Sequence, residues 1–229
     1  MEQTAVLLAG GTAEPEAIPV FCAVGDNQAS FLGAVKDKEH SVSINVGTGS
    51  QVSVYSGEWD PAAGTDIRPW IDHGYLYVGA SLNGGKVYER LAAFFEEVCE
   101  EFAGQKVNAY ETMERLAMEE QETELRAVPS LYGSREETDR EPEAGIYGLN
   151  SGNFHPKDLI RSFTTGMVRE LFALYSAFPE KACAGKTQIV ASGNGIRKNR
   201  LLREDVEKVF GLPVVFTDRE EEAVSYTHL

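Results

Sequence analysis

The last third of the chain constrains the fold most. It runs "TQIVASG" (Thr187–Gly193), "RLLREDVEKVFG" (Arg200–Gly211) and "PVVFTD" (Pro213–Asp218), which reads as strand, helix, strand. Strands joined by a crossover of this length pair in parallel, with the helix packed on one face. The first third is built differently. "AIPVFCAVG" (Ala17–Gly25) and "SVSINVGTGSQVSVYSG" (Ser41–Gly57) are rich in Val, Ile and aromatics and are punctuated by glycine, so they predict strands, the second folding back at "GTG". "HGYLYVGASL" (His73–Leu82) predicts a further strand. Hairpins at one end and a βαβ unit at the other predict an α/β domain with a mixed β-sheet flanked by helices.

Between these parts the period changes. From Gly84, the residues Val87, Leu91, Phe94, Phe95, Val98 and Phe102 recur at helical spacing, with Glu96, Glu97, Glu100 and Glu101 largely on the other side, which predicts an amphipathic helix. Tyr110–Glu120 predicts a weaker one, Tyr132–Asp158 a long polar loop, and Leu159–Leu174 a long helix ending before Pro179. With 229 residues, 42% of them apolar, the chain can bury a core. Its net charge of −15 and pI near 4.7 argue against general attraction to nucleic acid or an anionic membrane. Cys22, Cys99 and Cys183 are far apart and lack metal-ligand spacing, which leads us to expect a cytoplasmic protein with Cys99 as a small core residue. His40, His73, His155 and His228 are likewise scattered, and Trp59 and Trp70 flank a turn-rich segment where packing is the expected role.

Three glycine turns follow apolar strands: "VGDN" (Val24–Asn27), "VGTGS" (Val46–Ser50) and "SGNG" (Ser192–Gly195), and the pair Gly84–Gly85 opens a helix. Each alone is explained by glycine's tolerance of positive φ and by helix capping. Together, at strand ends of one α/β sheet, they would line the rim where ligands of such folds bind. An anion can be held there by backbone amides without net positive charge. There is no Walker A "GK[ST]" and no dinucleotide fingerprint.

From "GDNQASFLG" through "NVGTGSQVSV", "LNGGKVYERL", "YGSR" and "ASGNGIRKNRLLREDVEKVFGLPVVFTDREEEA", the chain resembles the C-terminal, ATP-binding half of the FGGY family of carbohydrate kinases, and most of all its sedoheptulokinase-type branch. The resemblance implies a ribonuclease-H-like domain of the actin and hexokinase kind, in enzymes where two such domains close over a sugar and ATP with Mg2+ at the phosphates. It implies that Asp26 is the catalytic base, accepting the proton of a sugar hydroxyl as that oxygen attacks the γ-phosphate, and that Asp26 meets the metal only indirectly, through Mg-ATP. Asn27 and Gln28 become substrate-side neighbours. Gly47, Thr48 and Gly49 would present amides and a hydroxyl to the β- and γ-phosphates, and Gly85 would lie near the nucleotide. Gly193, Asn194 and Gly195 would pass under the adenine, with Asn199 either a ligand or a plain helix cap. Lys86, Arg197 and Lys198 are expected to be surface charges, and Glu220–Glu222 a solvated helix start.

Only 25 residues precede Asp26, whereas the family carries roughly another domain there, holding most sugar-binding groups. The expectation is a nucleotide-binding domain over 1–224, with 225–229 ("SYTHL") a non-native tail, that binds ATP weakly and does not phosphorylate a sugar alone. Apolar surface left uncovered would favour a homodimer. Sedoheptulose is the leading substrate, with xylulose, ribulose and gluconate as alternatives. The competing reading is an actin-like or chaperone-like ATP-binding module, or a non-catalytic nucleotide-binding fragment.

Overall fold

The "GTG" hairpin is the centre of the architecture. In a computed structural model, which describes residues 3–5, 18–20, 24–61, 65–119, 123–133 and 143–217, β3 (Ser41–Val46) and β4 (Ser50–Ser56) pair antiparallel, with Val46 opposite Ser50. They sit in a six-stranded sheet of order β10-β9-β3-β4-β6-β5. Here β5 is Asp66–Pro69, β6 is Tyr75–Ser81, β9 is Gln188–Ser192 and β10 is Val214–Phe216. β9 lies parallel to both β3 and β10, whereas β4, β6 and β5 run antiparallel in turn. The sheet is therefore mixed, with its parallel part formed by the βαβ unit at the end of the chain together with β3.

Side-chain alternation along the strands separates two cores. Val42, Ile44 and Val46 of β3, Val52 and Val54 of β4, and Ile189 and Ala191 of β9 pack on one face against Met167, Val168 and Leu171 of α4 (Pro156–Ser176). Leu202 and Val206 of α7 (Arg200–Phe210), with Ile196 of the short α6 (Asn194–Lys198), complete that layer. On the opposite face Tyr55, Leu76, Val78 and Val190 meet Phe31 and Val35 at α1 (Asp26–Ala34), with Trp70 edge-on to Phe31. A third cluster joins Leu91 of α2 (Gly85–Ala103), Met113 of α3 (Ala109–Ala117), Ile160 and Leu201.

The amphipathic stripe of α2 needs correction. Only its first half is buried, at Val87, Leu91 and Ala92, while Phe94, Val98 and Phe102 are exposed, Phe102 to 88%. Cys99 is half-buried rather than a core residue. Trp70 is buried, but Trp59 is 57% exposed and meets only the edge of Tyr75. Short pieces are too brief to show a period in the sequence: β5 at the sheet edge, closed by Pro69, the ribbon of β7 (Arg126–Val128) with β8 (Gly145–Tyr147), and α5 (Glu180–Cys183). Of the expected strand at 17–25, Ile18–Val20 form β2, paired with β1 (Gln3–Ala5) apart from the main sheet, while 17 and 21–23 lie outside the described residues. Cys22, His228, Glu220–Glu222 and 225–229 also lie outside them. No helix among the described residues is long and apolar enough to cross a membrane.

Candidate functional site: a cleft at the glycine turns

Three of the glycine turns converge. The turn at Gly47–Gly49 follows β3, the Gly84–Gly85 pair opens α2, and Gly193–Gly195 joins β9 to α6. Gly85 N donates to Gly47 O at 2.8 Å and Lys86 N to Thr48 O at 3.2 Å, so the start of α2 is stitched to the hairpin turn. Gly193 has φ +85 and ψ 149, and a Cβ there would stand 2.5 Å from Val46 O. Only glycine fits that backbone region and that approach. Gly84 is similarly confined, because its missing Cβ would run into the backbone of Gly49. Glycine is thus required at Gly84, Gly85 and Gly193, whereas a Cβ at Gly47 would meet only Asn45 Oδ1, at 3.6 Å.

The turns form one end of a cleft of about 1030 Å³. Its lining includes Gly47, Thr48, Gly85, Gly193, Asn194, Gly195 and Asn199, together with Lys86 and Lys198. The remaining wall, from α2, α3 and the helices beneath, carries Tyr88, Asn108, Tyr110, Glu111, Glu114, Met167 and Leu202. Tyr88 and Tyr110 have ring centroids 6.1 Å apart. Burial pushes the Tyr88 hydroxyl up to about 12, with the Glu114 carboxylate adding to it, so it remains a neutral donor at ordinary pH. Asn199 caps α7, its Oδ1 accepting from Leu202 N at 3.0 Å, and its side chain lies beside the cleft all the same. Arg197, in contrast, turns to Thr217, donating to its O and Oγ1 at 3.1 Å and stacking over Phe216.

A buried polar network supports the stitched turns. Asn83 is fully buried; its Nδ2 donates to Gly133 O at 3.0 Å and Glu170 Oε1 at 3.2 Å, and its Oδ1 accepts from Tyr132 N at 3.1 Å. Ser81 Oγ donates to the same Glu170 oxygen at 2.6 Å, and Ser50 Oγ donates to Asn83 O at 3.2 Å. Burial pushes the Glu170 carboxyl up, against the lowering effect of those hydrogen bonds, and its Oε2 is buried with no hydrogen-bond partner among the described residues. Neither residue was singled out in the sequence, where a lone Asn before "GG" and a Glu in a long helix carry no distinguishing pattern.

Asp26, Asn27 and Gln28 form a separate arrangement, outside the cleft lining, as is Gly49. Helix α1 is capped by Gly25 with no side-chain hydrogen bond, so capping does not explain the three polar residues. They dock the first turn of α1 on the sheet edge instead. Asp26 Oδ1 accepts from Asn27 N at 2.8 Å and lies 3.8 Å from Arg68 Nη1, with its side chain 78% exposed. With its oxygen facing Arg68, the Asn27 amide accepts from Nη1 and Nη2 at 3.1 and 3.2 Å while its NH2 donates to Gln51 Oε1 at 3.2 Å. Gln28 Nε2 donates to Pro69 O at 3.3 Å. Arg68 is itself held by Asp66 Oδ2 through Nε at 2.9 Å and Nη2 at 2.6 Å. The exposed carboxylate of Asp26 can accept a proton from a bound group, and an arginine steadies it from the β5 side.

Known proteins can be set beside this geometry. Sedoheptulokinase of Mus musculus is 28% identical over 214 residues, which is 88% of this chain and 44% of that protein. Sedoheptulokinase of Homo sapiens is 28% identical over 224 residues, 92% of this chain and 45% of that protein. The xylulose kinase of Rhodospirillum rubrum superposes with a TM-score of 0.74 at 20% identity, covering 93% of this chain and 42% of that one. The chain resembles the C-terminal domain of FGGY-type carbohydrate kinases. Plasmodium falciparum glycerol kinase, solved with ADP, gives a TM-score of 0.70 at 16% identity over 90% of this chain and 40% of that one. The fold is accordingly the one these kinase structures share over most of this chain. No family model matches the chain. The chain spans about 45% of the length of the curated sugar kinases it matches.

Proposed function

We propose that this chain is the nucleotide-holding domain, over 1–224, of an ATP-dependent carbohydrate kinase acting on a ketose of the sedoheptulose type. The observation that carries the reading is the convergence of Gly47, Gly85, Gly193 and Gly195 on one cleft, in a chain whose relatives are sedoheptulokinases. The amides and hydroxyl of Gly47–Thr48, with Gly49 closing the turn, hold the terminal phosphates at close backbone approach. Gly193, Asn194 and Gly195 run beneath the base, Asn199 borders it, and Gly85 places the start of α2 at the phosphates, where the helix end favours negative charge.

Asp26 accepts the proton of the sugar hydroxyl as the oxygen attacks the γ-phosphate, with Asn27 and Gln28 on the substrate side. Phosphoryl transfer needs positioning and charge neutralisation more than a strong base, and an exposed carboxylate steadied by Arg68 suits that task. Among the described residues no group of three or more His, Cys, Asp or Glu could hold a metal ion. Mg2+ carried by the phosphates would retain several waters and use few protein carboxylates. When bound, the ion would neutralise phosphate charge, with Asp26 facing it indirectly. Xylulose, ribulose and gluconate remain alternative acceptors, and the competing non-kinase reading is an ATP-binding module with no sugar dependence.

The test is an ADP-release assay across a sugar panel, beside calorimetry of ATP binding. The expected result is weak ATP binding by this chain without sugar-dependent release and, in a full-length kinase carrying this domain, release that depends on a ketose and is lost in Asp26→Asn. Release indifferent to sugar would favour the ATP-binding module.

A further inference from the structure

Lys86 occupies a position that helix electrostatics disfavours. It is the second residue of α2, its first turn contains no acidic residue, and a cation there opposes the positive end of the helix dipole. Sites where a local rule is broken without an evident structural gain are commonly functional ones. Its backbone is bound to the hairpin turn through the 3.2 Å bond to Thr48 O, and its exposed side chain borders the cleft.

The side chain is also guided. The Lys86 ammonium lies 5.4 Å from the centroid of the Tyr132 ring, within the range of a cation–π attraction. Tyr132 is anchored at both ends, its N donating to Asn83 Oδ1 at 3.1 Å and its OH to Lys86 O at 3.4 Å. The ring therefore restricts where the ammonium can go.

Charge around the cleft is polarised. Among the described residues that line it, the cations are Lys86 and Lys198, both next to glycine turns, while Glu89, Glu111 and Glu114 come from farther along α2 and from α3. A chain of net charge −15 gives a polyanion no long-range attraction, so any polyphosphate must be held by local donors. We infer that Lys86, steadied by Tyr132, binds the polyphosphate of the nucleotide and fixes which end of the cleft it occupies. This rests on the cleft being a nucleotide site.

The experiment is calorimetry of the full chain with Mg-ATP and with adenosine, for wild type, Lys86→Met, Lys86→Arg and Lys106→Met, with thermal unfolding of each. Lys106 is exposed and pairs with Glu100 away from the cleft, so it reports the effect of net charge alone. Lys86→Met should weaken ATP by about tenfold, as expected for one charge-assisted hydrogen bond, and leave adenosine affinity unchanged, with the unfolding temperature at or slightly above that of wild type because the unfavourable charge at the helix start is gone. Lys86→Arg should retain ATP affinity, and Lys106→Met should match wild type. Tyr132→Leu should weaken ATP in wild type but not in the Lys86→Met background. If wild type binds neither ligand, the nucleotide reading falls and this inference with it. If wild type binds ATP while Lys86→Met loses ATP and adenosine equally, or Lys106→Met loses as much ATP, this inference alone is overturned. A Tyr132→Leu loss that persists without Lys86 would remove Tyr132 from it.

Discussion

The Gly47–Gly85–Gly193 corner and the Asp26–Gln28 turn look alike in sequence, each a glycine followed by small polar residues after an apolar run, yet they are built on opposite principles. The first is a backbone construction. Its turns touch through main-chain hydrogen bonds such as Gly85 N to Gly47 O at 2.8 Å, and it leaves amides and carbonyls at the cleft. The second is a side-chain construction, in which Asn27, Gln28, Gln51, Arg68 and Pro69 hold an exposed aspartate at the head of α1. The backbone corner admits no Cβ at Gly85 or Gly193; a side-chain site tolerates substitution of shape but not of charge.

Mutation can break that contrast, and the largest effect is expected where chemistry depends on one charge. In a full-length kinase carrying this domain, Asp26→Asn should lower sugar-dependent ADP release by about 10²–10⁴-fold, the usual worth of a general base, while the unfolding temperature and ATP binding remain at wild-type levels. Equal loss of ATP binding would place Asp26 in the same backbone-built unit as the cleft. Gly193→Val should act in the reverse sense, destabilising by about 3 kcal/mol in urea unfolding because strain at positive φ adds to a clash with Val46 O. Its ATP affinity should fall with it, and a stable Gly193→Val protein would show that the corner is less confined than its geometry implies.

Asn83→Ala should cost about 2 kcal/mol, since it leaves Tyr132 N and Gly133 O without their buried partner, read as a shift in the urea midpoint and a weaker ATP titration. The smallest effect is pH-dependent. Burial holds the Glu170 carboxyl above its ordinary range, so the folded state keeps a proton that the unfolded chain has released. Stability from that proton is fully present below the ordinary carboxylate value and is lost as pH rises through the raised one. Glu170→Gln keeps an acceptor for Ser81 and Asn83 without the charge. The midpoint difference between it and wild type should therefore grow across that window and be flat above it.

Much of the fold was legible because its signals are local. The "SVSINVGTGSQVSVYS" hairpin, the βαβ unit and the helices beginning at Gly85 and Pro156 appear as period, turn chemistry and length. The second half of α2 misled for the same reason, since Phe94, Val98 and Phe102 continue the stripe although Leu91 and Ala92 are the last of it that are fully buried. Periodicity states which face is apolar, and only the arrangement of neighbours decides whether anything covers it. At the site, Asn199 satisfies both of its readings, capping α7 and bordering the cleft. Tyr88 and Tyr110, 22 positions apart in sequence, were invisible as a pair.

By itself, the amino-acid sequence determined the order of the longer strands and helices, the mixed sheet and the places where glycine turns must fall, because dihedral preference and hydrophobic alternation act between residues close in the chain. Tertiary structure alone decided that Gly47, Gly85 and Gly193 meet at one cleft, that Asn83 and Glu170 lock its rim, and that Arg68 rather than a helix cap holds the turn at Asp26. Those contacts join residues dozens to more than a hundred positions apart, and their partners are chosen by packing, which no local pattern encodes.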